Sequence, residues 1–256
     1  MVHAIRFGRG APLWRLGWHC PACGDYAAES AGFRCWRRNS PAPSAVLIRF
    51  RSPHSLRYFW FVARNELIVA LADRFFPSAK CYLEIDCGNG AVLRAIAASR
   101  RWERLVGSDL HPAGLKHART RLPPEVELVQ MDARAIPVLN AFDLTGAFDV
   151  VEHVADDEAV LRGLRRATVM GGGTIIAVPQ HPSLWSRADE IGHHQRRYRL
   201  RELEAKLRRS GFDILFSSSH SAAADGVEPT QSARPPPTTP MWNVKLPSAR
   251  GSTAFS

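Results

Sequence analysis

Cys81-Tyr-Leu-Glu84-Ile-Asp86-Cys-Gly88-Asn-Gly90, followed by Ala91-Val-Leu-Arg-Ala-Ile-Ala97, decides the fold. A short apolar run (Tyr82, Leu83, Ile85) breaks into two glycines, and a segment of helical period follows. That is how a buried parallel strand hands over to a crossover helix through a tight turn. Gly88 and Gly90 let the backbone come close to a ligand, and the first amides of the helix offer unpaired donors. Glu84 adds a carboxylate at the strand's carboxyl end, where open α/β sheets bind their ligands.

Two cofactor classes use such a turn. A nicotinamide site requires G-x-G-x-x-G, and if Gly88 and Gly90 are the first pair, the third position is Leu93. The order Glu84-x-Asp86-x-Gly88-x-Gly90 resembles instead the E/D-x-G-x-G-x-G turn of class I S-adenosylmethionine (SAM) methyltransferases. The resemblance runs from about Phe59 to Ile214, with one departure in the motif: Asp86 stands where the family has its first glycine. It implies an α/β fold, a Rossmann-like doubly wound sheet, with SAM as cofactor. Glu84, Asp86, Gly88 and Gly90 would then face the methionine end of SAM.

The downstream stretches agree in order and spacing. Arg104-Leu-Val-Gly-Ser108 reads as a second strand, ending in Asp109 nineteen residues past Gly90. A carboxylate there can accept both ribose hydroxyls. Pro112 suits the first turn of a helix running to Arg121. Val126–Gln130 alternates as a third strand, and by resemblance Met131 and Asp132 hold the adenine. Phe142–Val151 reads as a loop into a fourth strand whose end, Glu152-His153, faces the methyl group by the same resemblance. His153 is either the proton acceptor or a pocket-wall residue ordered by hydrogen bonds. Glu158–Val169 reads as a helix ended by Gly171-Gly-Gly173, and Thr174–Val178 as a buried strand.

After it come Pro179-Gln-His-Pro182, Leu184-Trp185, Asp189, His193 and Arg196-Arg197-Tyr198. That order resembles the substrate lid of methyltransferases acting on quinone-like or sugar substrates. It makes His193 a second acceptor-side candidate and has the arginines pairing with Asp189 and Glu190. A helix at Leu200–Arg209 and a strand at Phe212–Phe216 close the domain. The seventh strand usual in the family is not legible in the tail, which leaves a sheet edge exposed.

Length and composition frame this reading. The 256 residues hold one α/β domain with extras, and a hydrophobic share of 45% is ordinary. No segment reaches the roughly 18 apolar residues of a membrane span, and no signal peptide is read. Five cysteines suggest a reducing, cytoplasmic setting. Three segments are expected: a basic N-terminal part (1–52), the methyltransferase domain (53–216) and a disordered low-complexity tail (217–256).

In the first part, residues 1–18 show no clear period and are expected to be loose. Cys20-Pro-Ala-Cys23-Gly24 is a zinc-knuckle half, and Cys35 is the third candidate metal ligand. Zinc and a degenerate remnant both remain open. The net charge of +10 is concentrated early: residues 1–79 hold eleven arginines against four acids. With 30 arginines in the chain against 4 lysines, composition explains this better than nucleic-acid binding does. The expected partner is a small-molecule acceptor. A methyltransferase-like binding domain without turnover and an RNA methyltransferase are the alternatives. Acceptor identity and oligomeric state are not encoded in these motifs.

Overall fold

The computed structural model describes residues 1–6, 28–30, 33–36 and 59–218, the second and third of these segments by their backbone alone. The elements are β1 (Val2–Arg6), β2 (Ala28–Ser30), β3 (Phe33–Trp36), α1 (Phe59–Phe75), β4 (Cys81–Ile85), α2 (Ala91–Ser99), β5 (Arg104–Asp109) and α3 (Pro112–Arg119). Then follow β6 (Glu127–Met131), β7 (Phe142–Phe148), α4 (Asp157–Ala167), β8 (Thr168–Ala177), α5 (Arg187–Ile191), α6 (Leu200–Arg209) and β9 (Asp213–Ser218). Among the described residues the strands form one sheet in the order β2-β3-β6-β5-β4-β7-β8-β1-β9.

The strand predicted around the glycine turn is the centre of that sheet. β4 pairs in parallel with β5 on one side and β7 on the other. Its alternate residues feed two apolar layers, as the period of two in a strand dictates. Leu83 and Ile85 join the layer of Val160, Leu161 and Leu164 of α4 and Leu203 and Leu207 of α6. Tyr82 joins Ile68 and Leu71 of α1, Leu93 and Ile96 of α2, and Leu115 of α3. Helices on both faces define a doubly wound α/β sheet. The carboxyl ends of β4, β5 and β7 thus emerge side by side, and the chain is reversed there to enter the helices.

Two local expectations change. The stretch from Phe142, read as a loop into a fourth strand, is already that strand, β7, and Tyr82 and Ile85 pair with its Leu144 and Ala147. The glycines 171–173 do not end a helix. α4 stops at Ala167, where the Thr168 hydroxyl donates to the Leu164 carbonyl, and the glycines lie inside β8. Packing requires them there: a Cβ on Gly173 would stand 2.1 Å from the Phe76 ring, and one on Gly172 would stand 2.5 Å from the Asp143 carbonyl.

The larger correction concerns the sheet edge. The antiparallel strand expected to be missing is present, and it comes from the N-terminus rather than the tail. β1 runs antiparallel between β8 and β9, pairing Ala4 with Ile175 on one side and with Phe216 on the other. Residues 2–6, expected to be loose, therefore close the gap that would have left β8 unpaired. Val2 and Ala4 face one apolar layer and Ile5 the other, so the strand is buried on both sides. Five residues with a histidine among them carry too little periodicity to reveal a strand. The unpaired edges of β8 and β9 make it one.

At the other end, β3 pairs in parallel with β6 and in antiparallel with β2. Cys35 stands on β3, described by its backbone alone. Cys20, Cys23 and the tail from residue 219 onward lie outside the described residues.

Candidate active site

The glycine turn is built from left-handed residues. Asp86, Gly88 and Gly90 have φ of 56°, 54° and 74°. The motif places glycine at such positions because a Cβ is strained there, and Asp is among the side chains that bear the strain best. Asp149, His181 and His193, which come after β7 and β8, also have positive φ, whereas Asn140 (φ 45°) precedes β7. Strain gathered after these strands marks a candidate functional region. The turn is held by the Cys87 amide on the Ser108 carbonyl (2.7 Å) and the Gly90 amide on the Cys87 carbonyl (2.9 Å).

Asp109, at the end of β5, is fastened to this turn. Its Oδ2 accepts the Gly88 amide at 3.0 Å and its Oδ1 the His111 amide at 2.6 Å. Asp86 donates a further hydrogen bond to it, and burial raises both carboxyls above the usual range. Asp86 rises further because the Asp109 charge stands beside it. Gly114 of α3 packs onto the same group, where a Cβ would lie 3.0 Å from Asp109 Oδ2. Above Gly88, by contrast, an added Cβ would meet nothing within 4 Å. That open space over a backbone turn, with a carboxylate at its rim, fits an adenosyl-type cofactor.

Glu84 is buried at the end of β4 and accepts the Tyr82 hydroxyl at 3.2 Å. Burial pushes its carboxyl up to about 8, with Tyr82 and the nearby Arg64 guanidinium opposing the shift. Met131 is buried in the core beside Ile136 and Val138. Asp132 caps the 3-10 turn Ala133–Ala135 by accepting the Arg134 amide, and it holds the Arg134 guanidinium at 2.5–3.0 Å. Met131 is thus the last residue of β6 and Asp132 follows it, with the carboxylate already engaged.

The acceptor side is the end of β7. Glu152 and His153 lie in a 3-10 turn, Val151–His153. Glu152 is fully buried, and neither of its carboxylate oxygens has a hydrogen-bond partner. Burial, then the Asp149 charge, pushes its carboxyl well up. Arg64 of α1 pairs with Asp149 and lies close enough to Glu152 and Glu84 to act on both. His153 is half-buried and packs edge-on against His194, ring centroids 4.7 Å apart. Burial and then His194 lower its pKa, which leaves the ring neutral near pH 7.

Of the two neighbouring histidines in the lid, the fold brings in His194. α5 ends in a Schellman turn, with the His193 amide on the Glu190 carbonyl (3.0 Å) and the His194 amide on the Asp189 carbonyl (2.9 Å). His193 takes the left-handed position and is exposed, while His194 returns to the site. Asp189 fixes it, with Oδ1 2.9 Å from His194 Nδ1. Burial would raise Asp189, but Arg197, the Ser186 amide and His194 together hold it down at about 2. Arg197 pairs with Asp189 as expected, whereas Arg196 pairs with Asp157 rather than Glu190. His194, Arg64 and Asp149 carry no sequence signal of their own. Adjacent histidines are equivalent until the turn is known, and Arg64 and Asp149 meet across 85 residues.

A doubly wound sheet with a strained glycine turn, a strand-end carboxylate beside it and an ionisable cluster at the next strand puts the candidate site at the carboxyl ends of the strands, where open α/β sheets bind ligands. Residues 83–176 match the family described as Methyltransferase domain. A ubiquinone biosynthesis O-methyltransferase of Chromobacterium violaceum is 29% identical over 114 residues, which are 42% of this chain and 48% of that protein. The chain thus spans about half the length of that relative.

Among solved structures, a methyltransferase of Haloferax volcanii, in complex with the Trm112 methyltransferase activator, superposes with a TM-score of 0.53 at 18% identity, covering 62% of this chain and 69% of that one. A SAM-dependent methyltransferase of Thermotoga maritima gives 0.52 at 18% identity, over 62% and 74%. At such identities the likeness concerns the fold. Among the described residues no helix is long and apolar enough to cross a membrane.

Proposed function

We propose that the chain transfers a methyl group from SAM to a small-molecule acceptor. The observation that carries this reading is the open space over Gly88 beside Asp109, one strand away from Glu152 and His153. When bound, SAM supplies an electrophilic methyl group on a sulfonium sulfur. The amides at the start of α2 and the Glu84 carboxyl face its methionine end, and Asp109, preset by two amides, takes the ribose hydroxyls. Met131 and Asp132 flank the adenine. Attack on a sulfonium methyl is governed by in-line alignment and proton removal. His153, held neutral beside His194, is the group placed to receive the acceptor's proton. The acceptor is a quinone-like, sugar or lipid-precursor molecule, in keeping with the relative's O-methyltransferase name.

A second reading, a domain that binds without turnover, is favoured by one observation: Asp86 occupies a glycine position and donates a hydrogen bond to Asp109, the carboxylate read as the ribose ligand. Calorimetric titration of SAM into the full chain and into Asp86→Gly separates the two. Roughly micromolar binding by the parent supports methyl transfer and calls for an acceptor screen. Binding by the glycine variant alone supports the second reading. Absence of binding by both folded proteins refutes SAM use.

A further inference from the structure

Glu152, His153 and His194 bring one ligand atom each to within 4.8 Å of one another. The geometry points to a first-row divalent cation site made of these three side chains, on the acceptor side of the cofactor turn. Bonds of about 2.0–2.2 Å at tetrahedral angles hold ligand atoms about 3.3–3.6 Å apart, so the group closes by roughly an ångström where its atoms are farthest apart. Side-chain rotation covers that.

Two independent features support an ion over a plain hydrogen-bonded cluster. The first is Glu152, which is completely buried while both its oxygens lack any partner. A buried carboxyl in that state is costly, charged or neutral, unless a cation or a donor meets it. Arg64, paired with Asp149, acts on Glu152 through its charge but makes no hydrogen bond to either oxygen.

The second feature is the way the histidines are held. A metal-bound imidazole donates its other ring N–H to a carboxylate or carbonyl, which fixes the tautomer and leaves one nitrogen for the metal. His194 Nδ1 is committed to Asp189 at 2.9 Å, so Nε2 is the free donor. His153 makes its own ring hydrogen bond to the His193 backbone. Asp189 is in turn locked by Arg197 at 2.8 Å and by the Ser186 amide at 2.8 Å. Two imidazoles and one carboxylate, each imidazole braced from behind, suit a borderline-soft divalent ion and leave coordination positions open.

The site deepens the methyl-transfer reading and rests on it only for its purpose. An oxygen or nitrogen of the acceptor would fill an open position on the ion. Ion and proton compete for the same imidazole nitrogens. In the ion-bound state, therefore, His153 would not act as base: the ion would acidify the acceptor, whose proton would pass to solvent before the methyl group is transferred.

The test is titration of Co2+ alone into the full chain, followed by visible absorption and calorimetry, with SAM titrated separately into each protein. The parent should bind Co2+ saturably, and Glu152→Gln and His194→Gln should each weaken that binding by about tenfold or more. SAM binding reports the cofactor site in the same samples, so failure of one reading is not failure of the other. In the parent protein, Co2+ should also broaden the ring resonances of His153 and His194, a result that needs no variant to fold. Equal Co2+ titration by parent and folded variants, no saturable binding by the parent, or broadening confined to other histidines would each overturn the site.

Discussion

Asp86 donates a hydrogen bond to Asp109, so the residue that departs from the glycine motif is bonded to the carboxylate expected to hold the ribose. The contact exists because Asp86 takes φ of 56° at the end of β4 and its side chain is turned toward the end of β5. It makes the substitution an occupant of the candidate cofactor site as well as a strain in the backbone.

Asp86→Gly should therefore raise SAM affinity about tenfold or more, because a hydrogen bond to a charged group is worth roughly 1.5–3 kcal/mol and would no longer compete for Asp109. Stability should change little, since relief of the left-handed side chain is offset by the greater freedom of glycine in the unfolded chain. Calorimetry and thermal melts measure the two quantities separately. A glycine variant with unchanged affinity would show that the two carboxyls do not compete with the ribose.

Asp109→Ala should weaken SAM binding by about 10- to 100-fold through loss of charged hydrogen bonds. It also removes the acceptor for the Gly88 and His111 amides, which lie 3.0 and 2.6 Å from its oxygens. Hydrogen exchange at Gly88 should quicken in the variant. Protection left unchanged there would mean the turn does not depend on Asp109.

Glu84 gives the stability a pH dependence. Its carboxyl is pushed from 4.5 to about 8 in the folded chain, so the folded state holds a proton that the unfolded state has released. The stability from this group is full below about 4.5 and is lost as pH rises toward 8, at no more than about 1.4 kcal/mol per pH unit. Urea denaturation at pH 5.5 and 8 should show the fall, and Glu84→Gln should flatten it.

Ile5→Ala should cost about 2–5 kcal/mol, the range for a buried large-to-small change. Ile5 is fully buried in the strand between β8 and β9. If residues 2–6 were a dispensable extension, the same variant would melt with the parent.

Asp189→Asn should cost about 3–5 kcal/mol, because it leaves the Arg197 guanidinium buried beside a neutral amide. It should also free the His194 ring, which Asp189 holds at 2.9 Å, visible as a changed imidazole tautomer in nitrogen NMR. An intact tautomer in a folded variant would show that the ring is fixed by its other neighbours.

The glycine turn of the candidate cofactor site was legible in the residues because it is local. A strand, a glycine turn and a helix lie within about twenty residues, and the strand-end carboxylates follow at regular intervals, so Glu84, Gly88, Gly90 and Asp109 fall where the pattern put them. The lid was legible only in outline. Asp189 and Arg197 pair as the sequence suggested, but the choice of His194 over His193 depends on one left-handed residue after a five-residue helix.

The sequence by itself thus determined the doubly wound sheet and the cofactor turn, since apolar period and glycine position are properties of neighbouring residues. Only the tertiary structure decided that residues 2–6 complete the sheet, that Asp86 bonds to Asp109, and that Glu152 meets two histidines. Each of these joins segments far apart in the chain, through a strand edge that must be paired or a buried charge that must be answered. Such requirements arise only once the chain has folded.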